Sequence, residues 1–334
     1  MVVAAQWFFS ITATVKALWN GGSPFAGYTA LWPADYEGKW IIQAEGIRIA
    51  FTNLNGGSVT NLWINDTNGN EIDVILGLDR VPEYDNYRGL LGGAIGRVAG
   101  HISSPSFEID GVTFSAGEAN GNNGTTTYNG GFKGWEHRAF DVASHTSNSI
   151  TFVGFDRPSK HGFPGSAGYC MTHSVYPNEW RIAYGVTPTR TDVRIPVSLS
   201  LKTFFNLDGF GPDPDARTVA EQRLHLPFSG LRLEEDEHGI PTGDIKGNPK
   251  YSEHDFWSGP KPLREGFAQR GGPTIARYDD VYLIQRPQPW HWESKPAASL
   301  SSARSGIKME LYTDQEAVRI VTWDEEPARW STST

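Results

Sequence analysis

Apolar and polar residues alternate in short runs along this chain, and no apolar stripe holds helical spacing for three turns. Trp40-Ile41-Ile42-Gln43-Ala44-Glu45 and Ile47-Arg48-Ile49-Ala50-Phe51 set the pattern. Side chains that switch face at every residue belong to a strand with one buried face. Runs of the same kind recur over residues 58–64, 72–76, 149–155, 171–176, 180–187, 193–205, 281–284, 307–312 and 317–323. Turn-forming clusters separate them, Asn55-Gly56-Gly57 and residues 66–70 among them. With 37 glycines and 21 prolines, many short strands joined by turns are expected. No repeat or linker marks a second domain. The expected fold class is all-β, a large antiparallel β-sandwich, with residues 1–27 as an N-terminal segment and residues 28–334 as a single domain.

The punctuation is less regular towards the C-terminal half. Residues 216–227 are polar and strand-like at best, and the acidic run Glu234-Glu235-Asp236-Glu237 reads as a solvated turn. Residues 240–243 read as a further turn and residues 249–272 as a long irregular segment.

A formal charge of −9 argues against nucleic acid or an anionic membrane as the main partner. No apolar run is long enough to cross a bilayer as a helix. The 12 Trp, 12 Tyr and 17 Phe suit both a β-sandwich core and a flat, part-apolar ligand such as a sugar. Cys170 is the single cysteine, which fits a reducing compartment, so a cytoplasmic location is expected. Secretion is the alternative. Residues 1–15 are apolar and Val15-Lys16-Ala17 has the form of a cleavage site, but no positive charge precedes the run. The sequons at Asn65 and Asn123 matter only in that case. His161, His173 and His225 lack metal-ligand spacing, so no metal and no cofactor is expected.

Glycine is densest between Gly92 and Trp135. This stretch holds Gly92-Gly93-Ala94-Ile95-Gly96-Arg97-Val98-Ala99-Gly100-His101, a hairpin-like run over residues 107–114, and Tyr128-Asn129-Gly130-Gly131-Phe132-Lys133-Gly134-Trp135. Such density marks either tight turns or a backbone pressed close to something.

Several landmarks, in order, resemble the aldose 1-epimerases (galactose mutarotases), in particular the fungal members. Gly93-Ala94-Ile95-Gly96-Arg97-Val98-Ala99 is similar to the family's G-x-x-x-G-R-x-A-N-R segment, and Tyr128-Asn129-Gly130-Gly131 falls where the family has L-H-G-G. Gly162-Phe163-Pro164-Gly165 resembles G-Y-P-G, and Leu201-Lys202-Thr203-Phe204-Phe205-Asn206-Leu207 resembles N-H-S-Y-F-N-L. Ile240-Pro241-Thr242-Gly243 is similar to a P-T-G turn, and Arg277-Tyr278-Asp279-Asp280 to G-Y-D-H. The resemblance implies the family's β-supersandwich and a small-molecule ligand, either a sugar or a cyclic metabolite.

Exchanging the anomers of a cyclic sugar requires one group to take the proton of the anomeric hydroxyl and another to protonate the ring oxygen. The resemblance implies a C-terminal Glu as base, a His as acid, and a second His, an Arg and an Asp holding the hydroxyls. Carried across, the L-H-G-G histidine becomes Asn129 and the N-H-S-Y histidine becomes Lys202. The A-N-R asparagine and arginine become Gly100 and His101, and the aspartate is kept as Asp279. The sequence through Thr334 shows no motif matching the segment that carries the Glu, and Glu325 and Glu326 have no matching surroundings. Asparagine does not shuttle protons at neutral pH, and lysine is no like-for-like histidine.

The expected catalytic residues are therefore Asp279, Lys202 and His101, and the expected substrate-binding residues are Asn129, Arg97, Trp135, Phe204 and Tyr278. Each has a plain structural alternative: an Asx-turn for Asp279, a solvent-facing position for Lys202, a hydrogen-bonded loop position for His101, and the core for the aromatics. Three functions remain open. One is an isomerase or cyclase repurposed to act by proton transfer on a non-sugar or sugar-like small molecule, as in fungal secondary metabolism. The others are a true aldose 1-epimerase with a rearranged acid and base, and a carbohydrate-binding protein without catalysis.

Overall fold

A computed structural model describes residues 2–9, 38–86, 91–104, 106–115, 125–157, 163–190, 194–267 and 278–323. Most of the expected N-terminal segment lies outside these residues, as do Asn123, His161, Glu325 and Glu326. The fold is all-β. The longest α-helical segment among the described residues is Val81–Asn86, six residues. The chain divides into two compact units. The first comprises Met1–Phe9, Asn61–Asp79 and Lys202–Thr334, and the second Ser10–Thr60 and Arg80–Leu201.

In the second unit, the strands Asp141–His145, Ser149–Asp156, Ala167–Tyr176 and Glu179–Pro188 form a four-stranded sheet in chain order. Alternation decides its buried face. Tyr169, Met171, His173 and Val175 point inward from the third strand. Phe51, Phe152 and Trp180 pack around His173, whose ring lies 4.7 Å from Phe51 and 5.6 Å from Trp180. The Trp180 indole N–H donates to His173 Nδ1 at 3.1 Å. Burial pushes the His173 imidazole down to about 3, so it is a neutral core residue. Each fully buried Ile or Phe here contributes about 1.5–3 kcal/mol.

In the first unit, Pro241–Gly247, Leu231–Glu235, Asp279–Leu283, Ala317–Trp323 and Val2–Phe9 lie side by side in that order. A second sheet carries Lys261–Pro262, Arg223–His225, Ala298–Ser301 and Lys308–Leu311. One face of the larger sheet presents Tyr278, Tyr282, Val318 and Ile320, all buried, with Phe256 set edge-on to both tyrosines.

Three expectations change. The acidic run is not wholly a turn, because Glu234 and Glu235 end a strand and the reversal begins at Asp236. The Asp236 carboxylate accepts from the backbone N–H groups of His238 and Ile240, and Gly239 takes φ +74, which closes the turn in four residues. Residues 241–243 begin the next strand, with Pro241 at its first position, where the missing N–H does least harm. The run over residues 193–205 is a strand only from Leu199, beyond Pro196.

Candidate functional site

The residues singled out in the sequence fall into two groups, one in each unit. In the second unit, Arg97, His101, Asn129 and Trp135 are held by the glycine-rich stretch. Gly96 leaves room for Trp135: a Cβ on Gly96 would sit 2.5 Å from the indole. Gly130, at φ +86, brings its Cα against the Gly96 carbonyl, where a Cβ would sit 2.3 Å away. The close approach is thus backbone to backbone and backbone to ring. Asn129 is buried in the left-handed region at φ +52, and its Oδ1 accepts from the Gly100 N–H at 2.9 Å. His101 is half-buried, and its ring lies 4.4 Å from that of Tyr128 across a two-residue antiparallel pairing.

Arg97 is sealed. Its guanidinium donates to Asp156 Oδ2 at 3.0 Å and to the carbonyls of Pro164 and Gly165 at 2.6 and 3.0 Å. Asp156 also accepts from Arg138 at 2.7 Å and from the Trp135 indole N–H at 3.2 Å. Burial alone would raise the Asp156 carboxyl, but Arg138 and Arg97 outweigh it and hold Asp156 below the usual range. Trp135 stacks on Tyr169 at 4.1 Å. Arg97 and Trp135 are both 1% exposed, so their polar groups serve the protein's own framework.

In the first unit, Lys202 lies in Leu199–Phe205, where every position is buried, so it does not face solvent. Its ammonium sits 5.6 Å from the centroid of Phe204, two residues along on the same face. Tyr278 is fully buried, and its hydroxyl donates to the Glu253 carbonyl at 3.2 Å.

Asp279 heads the strand Asp279–Leu283 with its side chain 53% exposed. Val281 is the register partner of Arg319, so Asp279 and Arg319 share a face. The Arg319 Nε donates to Asp279 Oδ1 at 2.5 Å, and its Nη1 donates to Glu235 Oε1 at 3.3 Å. Arg319 is itself buried, and the Glu235 side chain is 12% exposed. Burial pushes the Glu235 carboxyl up to about 7. Arg319 pulls it down, while Asp279, Asp280 and Asp236 push it further up. The result is a buried cation holding one open carboxyl and one sheltered carboxyl that binds a proton near neutrality.

The sequence reading missed Glu235 and Arg319, although both left a signal. A charge inside the apolar run Ala317–Trp323 needs a partner, and the nearest acidic strand positions were available to supply it. On the opposite face, His254 Nδ1 lies 3.1 Å from the Tyr282 hydroxyl and 3.8 Å from Asp280, and its Nε2 lies 3.2 Å from Glu253. Among the described residues, no group of three or more His, Cys, Asp and Glu side chains is placed to hold a metal. No helix among them is long and apolar enough to cross a membrane.

The family profile of aldose 1-epimerase matches residues 40–333. The chain belongs to the aldose 1-epimerase family. This aldose 1-epimerase homologue is 48% identical over 341 residues to Epimerase FSL3 of Gibberella zeae, covering 95% of this chain and 77% of that protein. It is 27% identical over 286 residues to the galactose mutarotase of Sus scrofa, covering 85% and 77%. The GalM/aldose epimerase homologue of C. elegans shares its fold at a TM-score of 0.70 and 23% identity, covering 85% and 89%. The family is one of isomerase-type enzymes with sugar-like small-molecule substrates.

Proposed function

We propose that this chain is an isomerase repurposed to open and reclose a cyclic hemiacetal in a small molecule that is sugar-like but not a plain hexose. The observation that carries this reading is Asp279, presented half-exposed from the buried Arg319. A carboxyl so placed can take the proton of a hemiacetal hydroxyl. The histidine positions work against the ordinary hexose reaction. Asn129 is locked in a turn as an acceptor for Gly100, and Lys202 is buried against Phe204. The similarity to a protein named Epimerase FSL3 supports an isomerase over a binding protein.

The test compares two probes. Polarimetry on freshly dissolved α-glucose and α-galactose is expected to show the buffer rate. Magnetisation-transfer NMR on 2-hydroxytetrahydropyran, the bare cyclic hemiacetal, is expected to show faster anomer exchange that Asp279→Asn abolishes. Acceleration of both hexoses at least equal to that of the bare hemiacetal would return the chain to true mutarotation. Acceleration of neither probe, with saturable sugar binding by calorimetry, would establish the binding-protein reading instead.

A further inference from the structure

We infer that Glu235 is the second proton carrier of this site, giving the ring oxygen its proton while Asp279 takes the proton of the hemiacetal hydroxyl. The inference rests on the hemiacetal reading above and adds a residue that no family landmark marks.

Geometry comes first. Glu235 and Asp279 stand on separate strands, Leu231–Glu235 and Asp279–Leu283, and both bind Arg319 of a third strand, Ala317–Trp323. One guanidinium thus fixes two carboxyls on one face, Asp279 through Nε and Glu235 through Nη1. Their environments differ sharply. Asp279 is open to solvent on more than half of its side chain, whereas Glu235 is nearly covered. Two carboxyls in unlike surroundings are the arrangement that lets one act as acid and the other as base at the same pH.

The charges facing Glu235 can be named from each element packed there. Arg319 opposes it from the third strand, Asp279 lies beside it on the same face of the second, Asp236 adds its charge from the turn that follows, and Asp280 acts from the other face of the second strand. Glu234, the preceding residue, is paired with Lys246 of the adjacent Pro241–Gly247 strand. Burial and three neighbouring carboxyls favour the protonated form, and Arg319 opposes them. That balance leaves the group near 7, where it both donates and accepts with little driving-force loss.

The step balances without a cofactor. The Asp279 carboxylate takes the hydroxyl proton, the O–H pair becomes the second bond of an aldehyde carbonyl, and the ring C–O bond breaks. The ring oxygen keeps that electron pair and receives the Glu235 proton. After rotation about the adjacent carbon–carbon bond, the reverse transfers close the ring in the other configuration, with both carboxyls restored. Arg319 is a positioning residue that touches both groups.

Two measurements test the inference. In protein labelled with ¹³C at the glutamate carboxyls, one resonance is expected to titrate near pH 7 and to vanish in Glu235→Gln. In the 2-hydroxytetrahydropyran assay, Glu235→Gln is expected to lose about 10²-fold or more in kcat with KM within about threefold. It should also lose the pH inflection near 7, which Glu235→Asp should keep, displaced, at reduced rate. A Glu235 resonance titrating in the ordinary carboxylate range overturns the inference whatever the activity. So does Glu235→Gln with undiminished kcat in an active wild-type background. A wild-type protein inactive on the probe, with Glu235 titrating near 7, sinks the hemiacetal reading and supports the proton-holding role of Glu235.

Discussion

Two arginines in this protein bind carboxylates, and they do so to opposite ends. Arg97 is enclosed: Asp156 and two backbone carbonyls take up its donors, and Asp156 is in turn shared with Arg138 and the Trp135 indole. Arg319 is just as buried, yet one of its two carboxylates opens to solvent and the other sits close to its protonation midpoint. A network whose arginine and carboxylate are both buried and bound to the protein's own groups fixes a backbone. A network with one open member and one undecided proton is poised for transfer. The contrast lies in partners and access, because burial of the arginine is the same in both.

The largest effect expected from that contrast is on stability. Arg97→Ala takes from the buried Asp156 one of the cations that pair with it, and breaking such a pair costs about 3–5 kcal/mol. Denaturant unfolding measures it, and a loss below about 1 kcal/mol would show that the enclosed cluster is not what fixes the glycine-rich stretch. Arg319→Met is expected to act on turnover first, lowering kcat on the bare hemiacetal about 10²-fold. The variant also removes a cation that draws the Glu235 carboxyl down, so the pH inflection should move upward from about 7. An inflection that stays in place would separate Arg319 from Glu235 and blur the comparison.

The smallest effect is a slope. The Glu235 proton is held in the folded chain up to about 7, against an ordinary value of 4.5. Below that ordinary value folded and unfolded chains both carry the proton, and the full contribution to stability is present. Between the two values the unfolded chain releases a proton that the folded chain keeps, so stability falls as pH rises through about 7. Unfolding midpoints of the wild type across pH 4–8 should show this decline relative to Glu235→Gln. Parallel curves would remove the sheltered carboxyl from the argument.

The strands were legible because alternation is a local signal: Trp40–Ala44, Ile47–Phe51, Ser149–Asp156 and Ala317–Trp323 stand where the pattern puts them. Glu235 was not, because an acidic run reads as solvated wherever its neighbours in space are unknown. Its partner Arg319 lies 84 positions away along the chain. The chemistry at Asn129 and Lys202 could be read as a loss, since side-chain type alone rules out a histidine's role. Where Arg97 directs its donors could not be read, because two of its three partners are backbone carbonyls, which every residue carries.

The strand that carries Arg319 also says something about when the site comes into being. Ala317–Trp323 pairs with Val2–Phe9, Val2 opposite Trp323 and Trp7 opposite Val318. Nearly the whole described chain is synthesised between these two partners, so their contact is among the most non-local a chain of this length can make. The first strand must wait, unpaired on this side, until its complement leaves the ribosome. Arg319 can therefore bring Glu235 and Asp279 together only after both of them, and its own strand, have been synthesised.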